Sequence, residues 1–169
     1  MLNLKEIFII VPLLAFLGCG GSDSTNQDSE ATETIATMCQ SDSIGRETNM
    51  GEKIENNKTY ITYKYENNTL NLMHYNSSFN CEEGSIISFK SNVKPNKITI
   101  TESQTLPLGG VKCLCLYDLT IKIENIQPDV YEIDFNDGSI DDEILFTIDL
   151  EEKITGSVSY DRLYYPYNL

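Results

Sequence analysis

The sequence predicts an all-β protein, an antiparallel β-sandwich with a small β-barrel as the alternative. Three observations lead there. Apolar and polar residues alternate at period two over eight short stretches. Helical spacing is hard to find beyond the first residues. Turn-favouring residues separate the stretches, and about eight short strands spaced this way suit a sandwich, although strand count alone does not exclude a barrel.

Taken in order, the first element lies outside that body. Lys5 and the terminal amine make a short positive region, and Ile7 through Leu17 is an unbroken apolar run of eleven residues. A membrane span needs about 20, so the length suits a signal-peptide core. The run ends Phe16-Leu17-Gly18-Cys19, which resembles the lipobox of bacterial lipoproteins, with Phe16 where Leu is usual. The resemblance implies cleavage after Gly18 and acylation of Cys19, and several acyl chains on one residue anchor durably where one does not. Residues 1–18 are thus expected to be a lipoprotein signal peptide and residues 19–34 a lipidated Cys and tether. GGSDSTNQDSEATET, from Gly20 to Thr34, cannot bury enough surface to offset its ordering entropy. Fully extended, those residues reach roughly 50 Å. Asp23-Ser24-Thr25 and Asp42-Ser43-Ile44 also resemble the Asp-Ser/Thr-aliphatic O-glycosylation motif of Bacteroidota.

Residues 35–169 form the expected single β domain. Ile61, Tyr63 and Tyr65 alternate in Thr59–Tyr65, and Leu70, Leu72 and His74 in Thr69–Tyr75. Asn67-Asn68 between them reads as a tight hairpin. Ile87, Phe89, Ser91 and Val93 share one face of Ile86–Val93, and Ile98 and Ile100 alternate with Thr in Lys97–Glu102. Lys94-Pro95-Asn96 and Gln127-Pro128-Asp129 put Pro at the second position of a turn. Cys113, Cys115, Tyr117, Leu119, Ile121 and Ile123 share a face, so both thiols are expected to point to the core. Tyr131, Ile133 and Phe135, then Ile144, Phe146, Ile148 and Leu150, mark two further strands around Asn136-Asp137-Gly138. Val158, Tyr160 and Tyr164 mark a last one near Gly156–Tyr165.

Charge narrows the function. Twelve Lys and Arg stand against 26 Asp and Glu, a net charge of −14 over 169 residues. Nucleic-acid partners are excluded because phosphate binding needs a basic surface, and electrostatic docking of the whole domain on anionic lipid is disfavoured likewise. His74 is the single histidine, so a His-rich metal site is excluded. A lone His is more often a structural hydrogen-bonding residue than a catalyst, and His74 meets no triad template without a nucleophile and an orienting group.

Four cysteines follow Cys19. In an exported chain Cys39, Cys81, Cys113 and Cys115 read as a disulfide framework. Extended neighbours at i and i+2 are poorly placed to bond each other. Cys81 is therefore expected to bond Cys113 or Cys115, with Cys39 taking the other. A metal site, a redox pair or unpaired thiols are the alternatives, and CxC with isolated partners matches zinc spacing poorly.

The run His74-Tyr75-Asn76-Ser77-Ser78-Phe79-Asn80-Cys81, the later Cys113-Leu114-Cys115-Leu116-Tyr117-Asp118 and the closing Asp161-Arg162-Leu163-Tyr164-Tyr165-Pro166-Tyr167 together resemble a family of uncharacterised lipoproteins from Bacteroides and relatives. The resemblance covers about residues 70–169. It implies a small β domain on a lipid anchor and transfers no catalytic residue.

Two surface clusters remain. Asp137, Asp141 and Asp142 lie near Gly138, where dense hard oxygens could hold Ca²⁺, but the spacing is not that of an EF-hand and a solvated acidic hairpin tip is the plainer reading. Arg162, Tyr164, Tyr165 and Tyr167 could form a contact patch, since Tyr and Arg dominate hot spots, although a tyrosine-rich closing strand accounts for them too. The expectation is a lipid-anchored outer-membrane or surface lipoprotein without cofactor or metal. It is held to the membrane through Cys19 and binds an unknown protein or glycan rather than catalysing. The alternatives are a carboxylate-based hydrolase and a structural or inhibitor-like envelope module.

Overall fold

A computed structural model describes residues 35–36, 39, 45–136 and 143–162. Cys19, Asp137, Asp141, Asp142, Tyr164, Tyr165 and Tyr167 lie outside the described residues, as do the motifs beginning at Asp23 and Asp42. The described chain is all-β: β1 (Ile35–Ala36), β2 (Lys58–Glu66), β3 (Thr69–Asn80), β4 (Ile86–Lys94), β5 (Lys97–Thr105), β6 (Leu114–Glu124), β7 (Val130–Asn136), β8 (Glu143–Asp149) and β9 (Thr155–Asp161). They form a five-stranded sheet in the order β1-β6-β3-β2-β9 and a four-stranded sheet in the order β4-β5-β7-β8. Neither closes into a barrel. The architecture is a sandwich.

Turn chemistry follows the sequence. Asn67 and Asn68 both take positive φ (51° and 59°), the pair that a two-residue hairpin between right-twisted strands requires. Asn96 follows Pro95 with φ 60°, the left-handed third position of a type II turn. All strand pairs but one are antiparallel. β5 and β7 run parallel, with Ile98 beside Ile133, because β6 crosses to the other sheet between them and β7 returns in the same direction.

The core lies between the sheets. Ile61, Tyr63, Leu70, Leu72 and Ile121 project from one side and Phe89, Ile98, Ile100, Ile133, Phe135, Ile144 and Phe146 from the other, all buried. Desolvation raises the Tyr63 and Tyr131 phenols above their ordinary 10.0, helped by Asp149 and Asp129 respectively. The core thus favours the neutral phenol. That contribution to stability is complete below pH 10 and is lost as pH climbs above it.

Alternation does not account for β2 alone. Tyr60 and Thr62 point away from the core yet are buried, because residues 45–57 fold over the outer face of the five-stranded sheet as a strap. Glu47 bridges Lys53 within it, Ile54 packs on Tyr60 and Tyr75, and the Asn49 and Glu55 amides donate to the hydroxyls of Tyr75 and Tyr60 at 2.8 and 3.1 Å.

One contact has no slack. Gly156 on β9 lies opposite Tyr63 on β2, and a Cβ there would meet the Tyr63 ring at 2.6–2.7 Å. The ring is held in the core, so Gly156→Ala displaces it and is expected to cost about 1–3 kcal/mol, the usual range for overpacking. Urea unfolding at constant m-value checks this.

Candidate functional site

The sequence singled out four cysteines, and they form two disulfides, Cys81–Cys113 and Cys39–Cys115, with Cα–Cα distances of 5.7 and 5.3 Å. Cys115 is buried, as the shared face predicts, but Cys113 is exposed. It precedes β6, which begins at Leu114, so the strand's pleat does not set its direction. Both bonds cluster where β3 ends and β6 begins.

The single histidine sits in the sandwich interior. The sequence gives β3 a regular in–out phase through His74. Between His74 and Ser77 the register with β6 shifts: Tyr75 and Asn76 face the single residue Asp118, and Asn76 takes φ 62°. This bulge turns both His74 and Ser77 inward. Opposite, the β5 phase of Ile98 and Ile100 carries Glu102 to the same place. His74 is 0% exposed and Glu102 1%. The Nδ1 of His74 lies 2.9 Å from Glu102 Oε1, Ser77 Oγ donates to Glu102 Oε2 at 2.7 Å, and Thr59 Oγ1 lies 2.7 Å from His74 Nε2. Thr59 Oγ1 is also 3.1 Å from the Tyr75 carbonyl, and Phe135 meets the imidazole edge-on at 5.0 Å between centroids. The network closes in either protonation state of the ring. With Nε2 bare, the Thr59 proton turns to it; with Nε2 protonated, the Thr59 proton turns to the Tyr75 carbonyl and its oxygen accepts. Thr59, His74 and Glu102 have the connectivity of a hydroxyl, base and carboxylate. All three are buried, so the hydroxyl has no face on which to meet a substrate. Their role is to join β3 of one sheet to β5 of the other.

Asn76 organises a second cluster on the strap side. Arg46 donates to both Asp118 oxygens at 2.5 and 2.6 Å and to Asn76 Oδ1 at 3.1 Å. Asn76 Nδ2 donates to the carbonyls of Glu55 and Lys58 at 2.9 and 2.7 Å. Arg162 donates to the Asn76 carbonyl. The guanidinium expected to serve an outward patch with Tyr164, Tyr165 and Tyr167 thus contributes to pinning the end of β9 on the domain.

A third feature lies at the disulfide end, where the loop from Leu106 to Cys113 joins β5 to β6. The buried Glu82 carboxylate accepts the Leu108 and Gly110 amides at 2.6 and 2.8 Å. The Asn80 side chain donates to the Val111 carbonyl at 2.5 Å and accepts its amide at 3.2 Å. Gly109 and Gly110 take φ +89° and +97°, which side chains rarely adopt. The loop shows no alternation, and neither Glu82 nor Asn80 stands in a pattern that marks it as the loop's support.

Among the described residues, no group of three or more His, Cys, Asp and Glu side chains is placed to hold a metal ion. Comparison with family models, curated proteins and solved structures finds no match to this chain. Fold and disulfides therefore define it as a β-sandwich domain stapled at one end.

Proposed function

We propose that this chain is a lipid-anchored envelope lipoprotein, acylated at Cys19, whose β-sandwich acts by binding and not by catalysis. The observation that carries the anchor is the apolar run Ile7–Leu17 closing on Gly18-Cys19, ahead of a domain with two disulfides suited to an oxidising compartment. The resemblance of residues 70–169 to Bacteroides-type lipoproteins agrees with it. The enclosure of Thr59, His74 and Glu102 supports binding over turnover, since catalysis needs groups that meet substrate in a pocket. The partner class is a protein or a glycan.

Metabolic labelling with palmitate tests the anchor. The wild-type chain incorporates label, and Cys19→Ala abolishes incorporation and releases the domain from membranes. Incorporation that survives the change overturns the reading. Turnover of a glycan or peptide that is lost on replacing one carboxylate overturns the binding class.

A further inference from the structure

The outer face of the four-stranded sheet separates charge by strand. β4 and β5 turn Lys90, Lys94 and Lys97 outward, and their one carboxylate, Glu102, is buried. β7 and β8 contain no Lys or Arg and turn Glu132, Asp134 and Asp149 outward. The other sheet does not sort its charges this way. There Lys64 pairs with Glu66 and Lys122 with Glu124 along single strands, at 2.7 and 2.6 Å, and the strap lies over the face. On the four-stranded sheet the pairing is unequal. Lys97 alone serves both Glu132 and Asp134, at 3.1 and 2.9 Å, while Lys90 and Lys94 have no carboxylate in ion-pair reach among the described residues. Lys90, Lys94, Thr101, Glu132 and Thr147 are all exposed, so no described segment covers this face as the strap covers its counterpart.

A face with one sign on each half is complementary to itself. In an isologous pair each patch meets the same patch of the other copy, and the two-fold axis between stacked faces can run along the strands or across them. An axis across the strands lays β4 on β4 and sets lysine against lysine. An axis along the strands lays β4 of each copy over β8 of the other and β5 over β7, so Lys90 and Lys94 meet the acidic half. Position agrees. β1 runs antiparallel to β6, so the chain reaches Ile35 from the Glu124 end. That is also the end of Lys94 and Lys97, because β3 opposes β6 and runs alongside β5, His74 meeting Glu102 and Asn80 meeting Gln104. An axis along the strands keeps this end common to both copies, so both tethers reach one membrane, whereas an axis across sends them to opposite sides. The four strands cover roughly 500 Å² per copy at about 4.8 Å between strands and about 3.3 Å per residue, or about 1,000 Å² in all, the threshold for a specific interface. Such a pair is weak in solution, and confinement of both anchors to one membrane raises the effective concentration.

We propose that the outer face of the four-stranded sheet binds a second copy of this chain, face to face about a two-fold axis along the strands. The charge pattern alone selects this pair; the common direction of the tethers rests on the anchor reading. Short side chains on β5, Thr99, Thr101 and Ser103, let the sheets approach, and Leu145 on β8, 49% exposed, is covered by β4 of the other copy.

The full-length, lipid-modified chain is measured by sedimentation velocity in dodecyl maltoside, with micelles in large excess so that two chains do not share one by chance. The expected result is a dimer whose fraction grows with protein concentration. Lys90→Glu with Lys94→Glu sets acid against acid, and Glu132→Lys with Thr147→Lys sets lysine against lysine. All four positions are exposed, so each double variant is expected to keep the wild-type circular dichroism and to be monomeric where the wild type dimerises. An equimolar mixture of the two variants restores the dimer, because each face then meets its opposite. A wild-type chain that stays monomeric into the millimolar range, the order of effective concentration that tethering supplies, overturns the proposal. Double variants that still dimerise place the contact on another face and overturn it, as does a mixture that stays monomeric. Lys90 and Lys94 shielded from acetylation on native envelope fragments, with no dimer formed, assign the face to a different protein and overturn it too. The outcome is independent of the anchor, since an unacylated chain is measured in the same way without detergent.

Discussion

Replacing Cys39 and Cys115 together by Ser is expected to lower the unfolding free energy by about 4–5 kcal/mol. The bond spans 76 residues, and in the chain-entropy model a closed loop of that order removes about 4.5 kcal/mol of freedom from the unfolded chain. The native side of the balance points the same way. Upstream of the strap, the described sheet contacts are only the pairs of Ile35 with Thr120 and Ala36 with Leu119, too few to hold a strand on a sheet edge unaided. Losing the bond therefore releases β1 as well as enlarging the unfolded ensemble. The Cys81–Cys113 bond spans 32 residues, and its paired Ser replacement is expected to cost about 3.5 kcal/mol by the same model. Guanidinium unfolding of the oxidised proteins decides the order. A smaller loss for the longer loop would show that the 39–115 bond closes on a chain already restrained by other means.

Glu102→Ala is expected to cost about 3–5 kcal/mol, the range for removing one partner of a buried polar pair. The side chain meets His74 with one oxygen and Ser77 with the other, so its loss strands two buried groups and opens a cavity between the sheets. Glu102→Gln keeps the shape. Its carbonyl oxygen accepts from His74 and its amide can donate to Ser77 Oγ, so the expected cost falls to about 1–2 kcal/mol. A cycle with His74→Ala separates pair from parts, because residues in one network do not add. The double Ala variant should lose less than the sum of the singles. Equal losses for Gln and Ala at position 102 would show that volume, not hydrogen bonding, sets the cost.

Much of the sandwich is legible in the sequence because its strands bury one face each. Ile61, Tyr63 and Tyr65, or Ile144, Phe146 and Ile148, carry the phase of the pleat directly, and the asparagine turns carry the positive φ. The parallel pairing of β5 with β7 is not legible, since alternation reads the same in either direction. The strap is not legible either. Residues 45–57 have no periodicity, and only their docking explains why Tyr60 and Thr62 are buried. The interior network is half visible. His74 follows Leu70 and Leu72 in phase and Glu102 follows Ile98 and Ile100, so each is assignable to a core face. That the two faces oppose each other is a fact of topology that neither strand contains. The choice of partner for Cys81 is not legible, because Cys113 and Cys115 differ only in whether β6 has begun.

The bulge at Asn76 has a consequence for how the gene can change. Counted without Asn76, β3 alternates without interruption: Leu70, Leu72, His74, Ser77 and Phe79 all fall inward. Asn76 is thus a supernumerary residue in an otherwise regular strand. Its contribution lies in the carbonyls and guanidinium groups that converge on it from the strap and from β9. Deletion of a codon between residues 70 and 79 but outside the Tyr75–Asn76 bulge shifts part of the strand by one place and puts apolar side chains in water. Deletion at position 76 leaves the core in phase and detaches only what is tied to the bulge. The strand therefore tolerates length variation at that one place, and the strap can be lost or acquired there without rebuilding the sandwich beneath it.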